Sequence, residues 1–139
     1  MGLVYTEIEL INGEDLSMAR HKLMDPTEVK RAKITTKGDP SFYMLCINEA
    51  VQEKLQFPVV ERRKVRNADG NIAEFDVVDN VEVRFKNRST TCRAMILPGE
   101  SEAILGAIHI NGMDVLIHSQ RQELIVNPVH PYFAQMKLK

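Results

Sequence analysis

The stretch VVERRKVRNADGNIAEFDVV, residues 59–78, indicates the kind of fold that this chain adopts. Val59 to Val65 predicts one strand, and Ile72 to Val78 predicts a second that returns beside it. Between them, Asn67-Ala68-Asp69-Gly70-Asn71 is typical of a hairpin tip, because Asp-Gly tolerates the positive φ angles that tight turns require. The sequence therefore predicts an antiparallel hairpin at this point.

Working outward from the hairpin, period-two alternation of apolar and polar residues predicts further strands. They fall at residues 3–10, 81–85, 90–97, 103–108, 114–118 and 123–126. Asn12-Gly13 predicts a turn, and residues 14–29 are charged and irregular. Many short strands joined by tight turns predict an all-β class, a small closed or sandwiched fold, with residues 1–139 as a single domain.

One segment, residues 48–56, predicts a short helix. Asn48 is suited to capping its first turn, and Glu49 suits the positive end of the helix dipole. Val51 and Leu55 fall on one face. We expect this to be the one short helix of an otherwise β chain.

Composition excludes several classes of partner. The formal net charge is −1, which lacks the positive excess of a dedicated nucleic-acid binder or a polybasic membrane anchor. No apolar run is long enough to span a bilayer, and residues 1–7 do not resemble an export signal. We therefore expect a cytoplasmic protein without membrane or nucleic-acid partners, whose two cysteines are free thiols.

The basic run Arg62-Arg63-Lys64-Val65-Arg66 offers an alternative, nucleic-acid binding. On a strand, Arg62, Lys64 and Arg66 form one stripe. Acidic residues nearby and the absence of interleaved aromatic side chains favour a solvated sheet face instead.

Metal, nucleophile and phosphate motifs do not emerge from the sequence. The possible metal ligands are His21, His109, His118, His130, Cys46 and Cys92. No pair among them has zinc-finger or zincin spacing, and the chain holds neither a Gly-x-Ser-x-Gly elbow nor a phosphate-binding loop. We predict neither a metal site nor a cofactor.

The stretch DPSFYMLCINE, residues 39–49, carries a family resemblance when it is taken with two later segments. It precedes the Ala68-Asp69-Gly70 tip, and Ile104-Leu105-Gly106 follows further on. In order and spacing these segments resemble the bacterial retropepsin-like aspartic proteases, and the resemblance extends over nearly all of the chain. In that family a strand delivers Asp-Thr/Ser-Gly-Ala, a hairpin forms a flap, and an apolar-apolar-Gly strand crosses beside the catalytic loop.

The resemblance implies a small closed β-barrel of the retroviral acid protease type, and it assigns roles to residues. Asp39 is the implied catalytic aspartate, with Pro40, Ser41 and Phe42 beside it in the catalytic loop. Ala68, Asp69 and Gly70 form the implied flap tip, and Ile104, Leu105 and Gly106 support the active site. One aspartate per chain implies a homodimer that cleaves a peptide or protein substrate without a cofactor.

The catalytic motif itself departs from the family pattern. Pro40 stands at the Thr/Ser position and lacks its hydroxyl, Ser41 replaces glycine, and Phe42 replaces a small residue. The segment Gly38-Asp39-Pro40-Ser41 is also an ordinary turn sequence. An inactive family member that serves as a dimeric binding or scaffold module is therefore the alternative function, and residues 129–139 form a tail of open role.

Overall fold

The computed structural model describes residues 4–118 and 120–135, which form nine strands, three α-helices and a short 3-10 helix at Pro26–Glu28. The strands are β1 (Val4–Asn12), β2 (Arg31–Gly38), β3 (Leu45–Asn48), β4 (Val59–Arg66), β5 (Ile72–Phe85), β6 (Arg88–Leu97), β7 (Ile104–Leu105), β8 (Val115–His118) and β9 (Glu123–Val126). The helices are α1 (Gly13–Arg20), α2 (Glu49–Leu55) and α3 (Ala107–Gly112). The described chain is thus mostly β, as the alternating sequence predicts.

Seven strands form one sheet in the order β1-β2-β7-β3-β6-β5-β4. The sheet returns on itself because β1 also pairs with β5, Glu9–Asn12 lying against Val81–Arg84. The pairing makes a ring of strands from which only β4 is excluded, while β8 and β9 pair separately as a hairpin. Closure of this kind removes sheet edges that would otherwise be open to another chain.

The short strand β7 threads between β2 and β3. It runs parallel to β2, with Gly38 opposite Leu105, and antiparallel to β3, with Cys46 opposite Ile104. The two residues of β7 therefore lie between the end of β2 and the start of β3. The connection between these two strands, residues 39–44, is therefore held beside Gly106.

The core lies inside the ring and follows from the alternation along each strand. In β5, Val81, Val83 and Phe85 are buried. Between them, the half-buried Glu82 and the exposed Arg84 form an ion pair at 2.5 Å. Each large apolar side chain buried in this way contributes roughly 1.5–3 kcal/mol relative to an exposed one.

The hairpin predicted at residues 59–78 is present, formed by β4 and the first half of β5. The last pair of its ladder joins Arg66 to Ile72, and Gly70 has the positive φ of 87° that the tip requires. Within the tip, Asp69 accepts the backbone N–H of Asn71 at 3.0 Å. Side-chain bonds of this kind are how aspartate favours turns.

The predicted helix at residues 48–56 is confirmed, but the expectation of a single helix is wrong. Asn12 caps α1 by accepting the backbone N–H of Asp15 at 3.1 Å, where the sequence predicted a turn and an irregular segment. The predicted strand at residues 103–108 is also wrong beyond Leu105. The strand ends at Leu105 because Gly106 is the N-cap of α3, which begins at Ala107.

Among the residues described, none of the helices has both the length and the apolar character that crossing a membrane demands. Both cysteines are free, with Cys46 buried and Cys92 half-buried.

Candidate functional site

The candidate loop, residues 39–44, begins where β2 ends and carries the implied catalytic aspartate. Asp39 donates its backbone N–H to the carbonyl of Leu105 at 3.0 Å, which extends the contact between β2 and β7 by one residue. The carbonyl of Asp39 then accepts the N–H of Phe42 at 3.1 Å, closing a turn. Asp39 is therefore fixed at its backbone by the crossing strand.

The carboxylate of Asp39 is bound by a single neighbour among the described residues. Its Oδ1 accepts the Ser41 hydroxyl at 2.5 Å and the Ser41 backbone N–H at 3.0 Å. The hydroxyl, the N–H and the nearby Lys37 ammonium together hold the pKa of Asp39 below its usual value. The surroundings of Asp39 thus favour its ionised form, which is the state required of a general base.

The same turn occurs a second time in the chain. Asp25 precedes a proline and a Thr27, and its Oδ1 accepts the Thr27 backbone N–H at 2.9 Å and the Thr27 hydroxyl at 2.8 Å. These bonds lower the pKa of Asp25 as well. Hydrogen bonding alone therefore does not distinguish Asp39; its position beside β7 does.

The other end of the candidate loop is fastened to the first turn of α3. The backbone N–H of Ala107 donates to the carbonyl of Phe42 at 2.7 Å, and that of Ile108 donates to the carbonyl of Tyr43 at 3.0 Å. Such N–H groups have no partner within their own helix, and here the loop satisfies them. The loop and α3 consequently form one hydrogen-bonded unit.

Gly106 permits this close approach. A Cβ at position 106 would lie 2.5 Å from the carbonyl oxygen of Met44 and 2.9 Å from that of Phe42. Both contacts are with backbone atoms, so no side-chain rotation relieves them. The glycine of Ile104-Leu105-Gly106 is therefore required by packing against the candidate loop.

The side chains that follow Asp39 are displayed rather than buried. Pro40 and Ser41 are exposed, and the rings of Phe42 and Tyr43 are 42% and 68% exposed. Two exposed aromatic residues therefore lie close to the Asp39 carboxylate in sequence and at the surface.

The structure keeps the implied flap tip apart from the candidate loop. Ala68, Asp69 and Gly70 are all exposed, and no atom of the described residues lies within 4 Å of a Cβ built at Gly70. The hairpin instead meets the loop through its base, where Arg63 donates to the Met44 sulfur at 3.4 Å. Of the residues predicted from sequence, Asp39 thus contacts Leu105, Phe42 lies against Gly106, and Ser41 bonds to Asp39.

Two features near the site escaped sequence reasoning. His109 in α3 is fully buried, and neither ring nitrogen has a hydrogen-bond partner among the described residues. Arg63 faces the candidate loop, although the sequence showed it only as a member of a basic run. No local pattern reveals either, because both depend on strands that are distant in sequence.

In the described part of the chain, residues 4–118 and 120–135, no three His, Cys, Asp or Glu side chains come together as a metal site would require.

Comparison with known proteins leaves the family of this chain open. No protein-family model matches it. A search of curated proteins likewise finds no match. The functional inference therefore depends on the arrangement of the chain's own residues.

Proposed function

We propose that this chain is a retropepsin-like aspartic endopeptidase that acts as a homodimer, with one Asp39 from each protomer. The observation that carries the proposal is the position of Asp39 at the end of β2, bonded through its backbone to Leu105. An ionised carboxylate, a glycine-dependent crossing strand and a hairpin whose base contacts the loop are the parts that support the proposal in each protomer.

Two carboxylates brought together across a two-fold axis cannot both remain ionised, so they share one proton. The ionised Asp39 takes a proton from a water molecule, which attacks the scissile carbonyl carbon. The protonated Asp39 of the other protomer donates to the oxygen on which charge develops. The hydrogen bond from Ser41 favours ionisation of each Asp39. Repulsion between the two carboxylates opposes ionisation of the second, so that one Asp39 keeps its proton.

The hydroxyl of Ser41 takes the place of the hydroxyl that the Thr/Ser of the family motif would supply. Pro40 offers neither a hydroxyl nor an N–H, but Ser41 supplies both to Asp39 one position later. In this proposal the serine positions the carboxylate from within its own chain, whereas the family uses a hydroxyl to brace the two loops.

A second candidate function is a dimeric protein-binding module that does not hydrolyse peptides. The repeat of the same hydrogen-bonded turn at Asp25 and Thr27 favours it, because it shows this geometry at a second turn of the chain. Phe42 also favours it, since a large ring stands where the family has a small residue.

The two functions are separated by a cleavage assay on the purified chain. Peptide libraries are incubated at pH values from 3 to 7, and products are identified by mass spectrometry. We expect cleavage by the wild type, loss of cleavage in Asp39→Asn, and full activity in Asp25→Asn, which alters the matching turn. Activity that survives Asp39→Asn would overturn the endopeptidase, and absence of cleavage by a protein that sediments as a dimer would favour the binding module.

A further inference from the structure

A cavity of about 270 Å³ lies where the base of the hairpin meets the candidate loop. Met44 and Ile108 line it from the loop and α3, and Tyr43 lines it beside them. Arg63 from β4, Arg93 from β6 and Asp79 from β5 also line it. An apolar floor bordered by two guanidinium groups, one of them beside a carboxylate, suits a side chain with an apolar body and a polar end.

The two arginines are arranged around one carboxylate. Arg63 and Arg93 both donate to Oε1 of Glu61, at 2.9 Å and 3.2 Å. Arg93 also lies 3.9 Å from a carboxylate oxygen of Asp79. Both guanidinium groups share this one oxygen, and because a guanidinium has five N–H donors, donors remain for a ligand.

A second nitrogen of the Arg63 guanidinium has a poor hydrogen-bond partner. This terminal nitrogen lies 3.4 Å from the sulfur of Met44, and a thioether is a weak acceptor. A carboxylate oxygen would bind the same nitrogen through a charge-assisted hydrogen bond of about twice the strength of a neutral one. The cavity therefore offers an N–H donor of Arg63 above an apolar floor.

We infer that this cavity binds a glutamate side chain of an extended peptide. The methylene groups of the glutamate pack against Met44 and Ile108, and its carboxylate displaces the Met44 sulfur from Arg63. Glutamine fills the same space with a neutral acceptor, leucine brings no acceptor, and lysine brings a donor where Arg63 requires an acceptor. The inference rests on the proposed function, because the peptide is the substrate whose scissile bond reaches Asp39.

Peptide binding tests the inference without cleavage. The probes are fluorescein-labelled octapeptide mixtures built from Ala, Val, Leu and Phe. Each mixture carries a single Glu, Gln, Leu or Lys at one fixed position, and every position is tested in turn. Fluorescence polarisation measures binding of each mixture to the Asp39→Asn protein. At one position we expect the order Glu, Gln, Leu, Lys, with Glu bound about tenfold more tightly than Leu. Arg63→Gln, added to Asp39→Asn, removes this preference.

Arg62 provides the matched control. It is the neighbour of Arg63 on the same strand, and its side chain pairs with Glu74 and Asp76 instead of lining the cavity. Arg62→Gln in the Asp39→Asn background therefore keeps the preference for Glu while it removes the same charge. Equal loss in the two variants would show a general electrostatic effect and would overturn the inference.

Cys92 is a reporter of occupancy because it lines the same cavity. Cys46 is buried, and burial raises the pKa of its thiol to about 11, so alkylation by iodoacetamide reports Cys92. The Glu peptide slows this alkylation in the Asp39→Asn protein, whereas the Lys peptide leaves its rate unchanged. Alkylation that the bound Glu peptide does not slow would place the peptide elsewhere.

The outcomes for the cavity and for the endopeptidase are distinguishable. Cleavage by the wild type with no preference for Glu at any position contradicts the cavity assignment alone. Glu-dependent binding without cleavage contradicts the endopeptidase alone. Failure of every peptide mixture to bind contradicts the cavity assignment as well.

Discussion

Ser41 donates its hydroxyl and its backbone N–H to the same oxygen, Oδ1, of Asp39. The two bonds stabilise the charged form of the carboxyl group, so Ser41→Ala raises the pKa of Asp39 toward its usual value, and Ser41→Thr keeps it low. Side-chain carboxyl ¹³C shifts followed by NMR through an acid titration measure the change. If cleavage depends on ionised Asp39, the acid limb of the pH–rate profile moves to higher pH in Ser41→Ala.

Thr27→Ala is the control for this titration. It removes the equivalent hydroxyl from Asp25 and leaves Asp39 untouched. An Asp39 pKa that does not respond to Ser41→Ala would show that the hydroxyl bond contributes nothing in solution.

Gly106→Ala is expected to destabilise the fold by about 2–3 kcal/mol, the upper part of the range for overpacking. The new methyl group would lie 2.5 Å from the Met44 carbonyl oxygen, and backbone atoms must shift to accept it. Urea denaturation followed by circular dichroism measures the change as a lower midpoint. Gly38→Ala is the matched control, because its Cβ meets Val4 and Ile117 at ordinary distances of 3.6 Å and beyond, and it should cost much less.

His109 makes the stability of the fold depend on pH. Burial lowers its pKa from 6.5 to about 4, so the unfolded chain takes up a proton in a range where the folded chain does not. The free energy of unfolding is therefore unaffected by this group above pH 6.5. It decreases as the pH falls from 6.5 to about 4, by roughly 3 kcal/mol in total. Urea midpoints at pH 7 and pH 4.5 measure it.

His109→Leu should lose this part of the pH dependence while keeping the fold, because leucine needs no hydrogen-bond partner in the same buried position. An unchanged slope in His109→Leu would assign the effect to other groups.

Asp114 fastens the segment that follows β9. The backbone N–H of Gln135, the Asn127 amide and the His130 ring all bond to its carboxylate, and they lower the pKa of Asp114 to about 2. In Asp114→Asn we expect faster amide hydrogen exchange at residues 129–135, because the amide replaces a charged acceptor. Asparagine tolerates the positive φ of 56° at this position, so the backbone is not strained. The tail hydrogen bonds would also weaken as the pH falls from 4 toward 2.

Hydrogen exchange of residues 129–135 followed by mass spectrometry checks this expectation, with Asp25→Asn as a variant that removes an equally local carboxylate elsewhere. Exchange at the tail that is equally fast in both variants would contradict it.

Local signals predicted the hairpin and α2 well. Asn48 accepts the backbone N–H of Val51 at 2.9 Å, as a helix cap does, and Asp-Gly stands at the hairpin tip. These features depend on residues adjacent in sequence, so a pattern is enough to locate them.

Helices α1 and α3 could not be predicted in the same way, because distant contacts stabilise them. Asn12 donates its amide to the carbonyl of Leu55 at 2.9 Å, and Asp15 pairs with Lys30 at 3.2 Å. The first turn of α3 is held by carbonyls of the candidate loop. Tertiary bonds of this kind override weak local propensity.

The candidate site was predictable only in part. The resemblance named Asp39 and the apolar-apolar-Gly segment, and the structure brings these together through the bond from Asp39 to Leu105. The cavity beside Arg63 depends on β4, β6 and α3 meeting, and no periodicity in one segment contains that information.

The strand β5 belongs to two parts of the molecule at once. Residues 72–78 pair with β4 in the hairpin, and residues 81–85 form the wall of the ring, with a change of register between Val78 and Val81. Asn80 has a positive φ of 60° at this change, and a Cβ at Gly13 would lie 2.7 Å from its carbonyl oxygen. The bend is thus packed against the start of α1. Because the hairpin and the seam between β1 and β5 share this one strand, a substitution at the bend is expected to affect both.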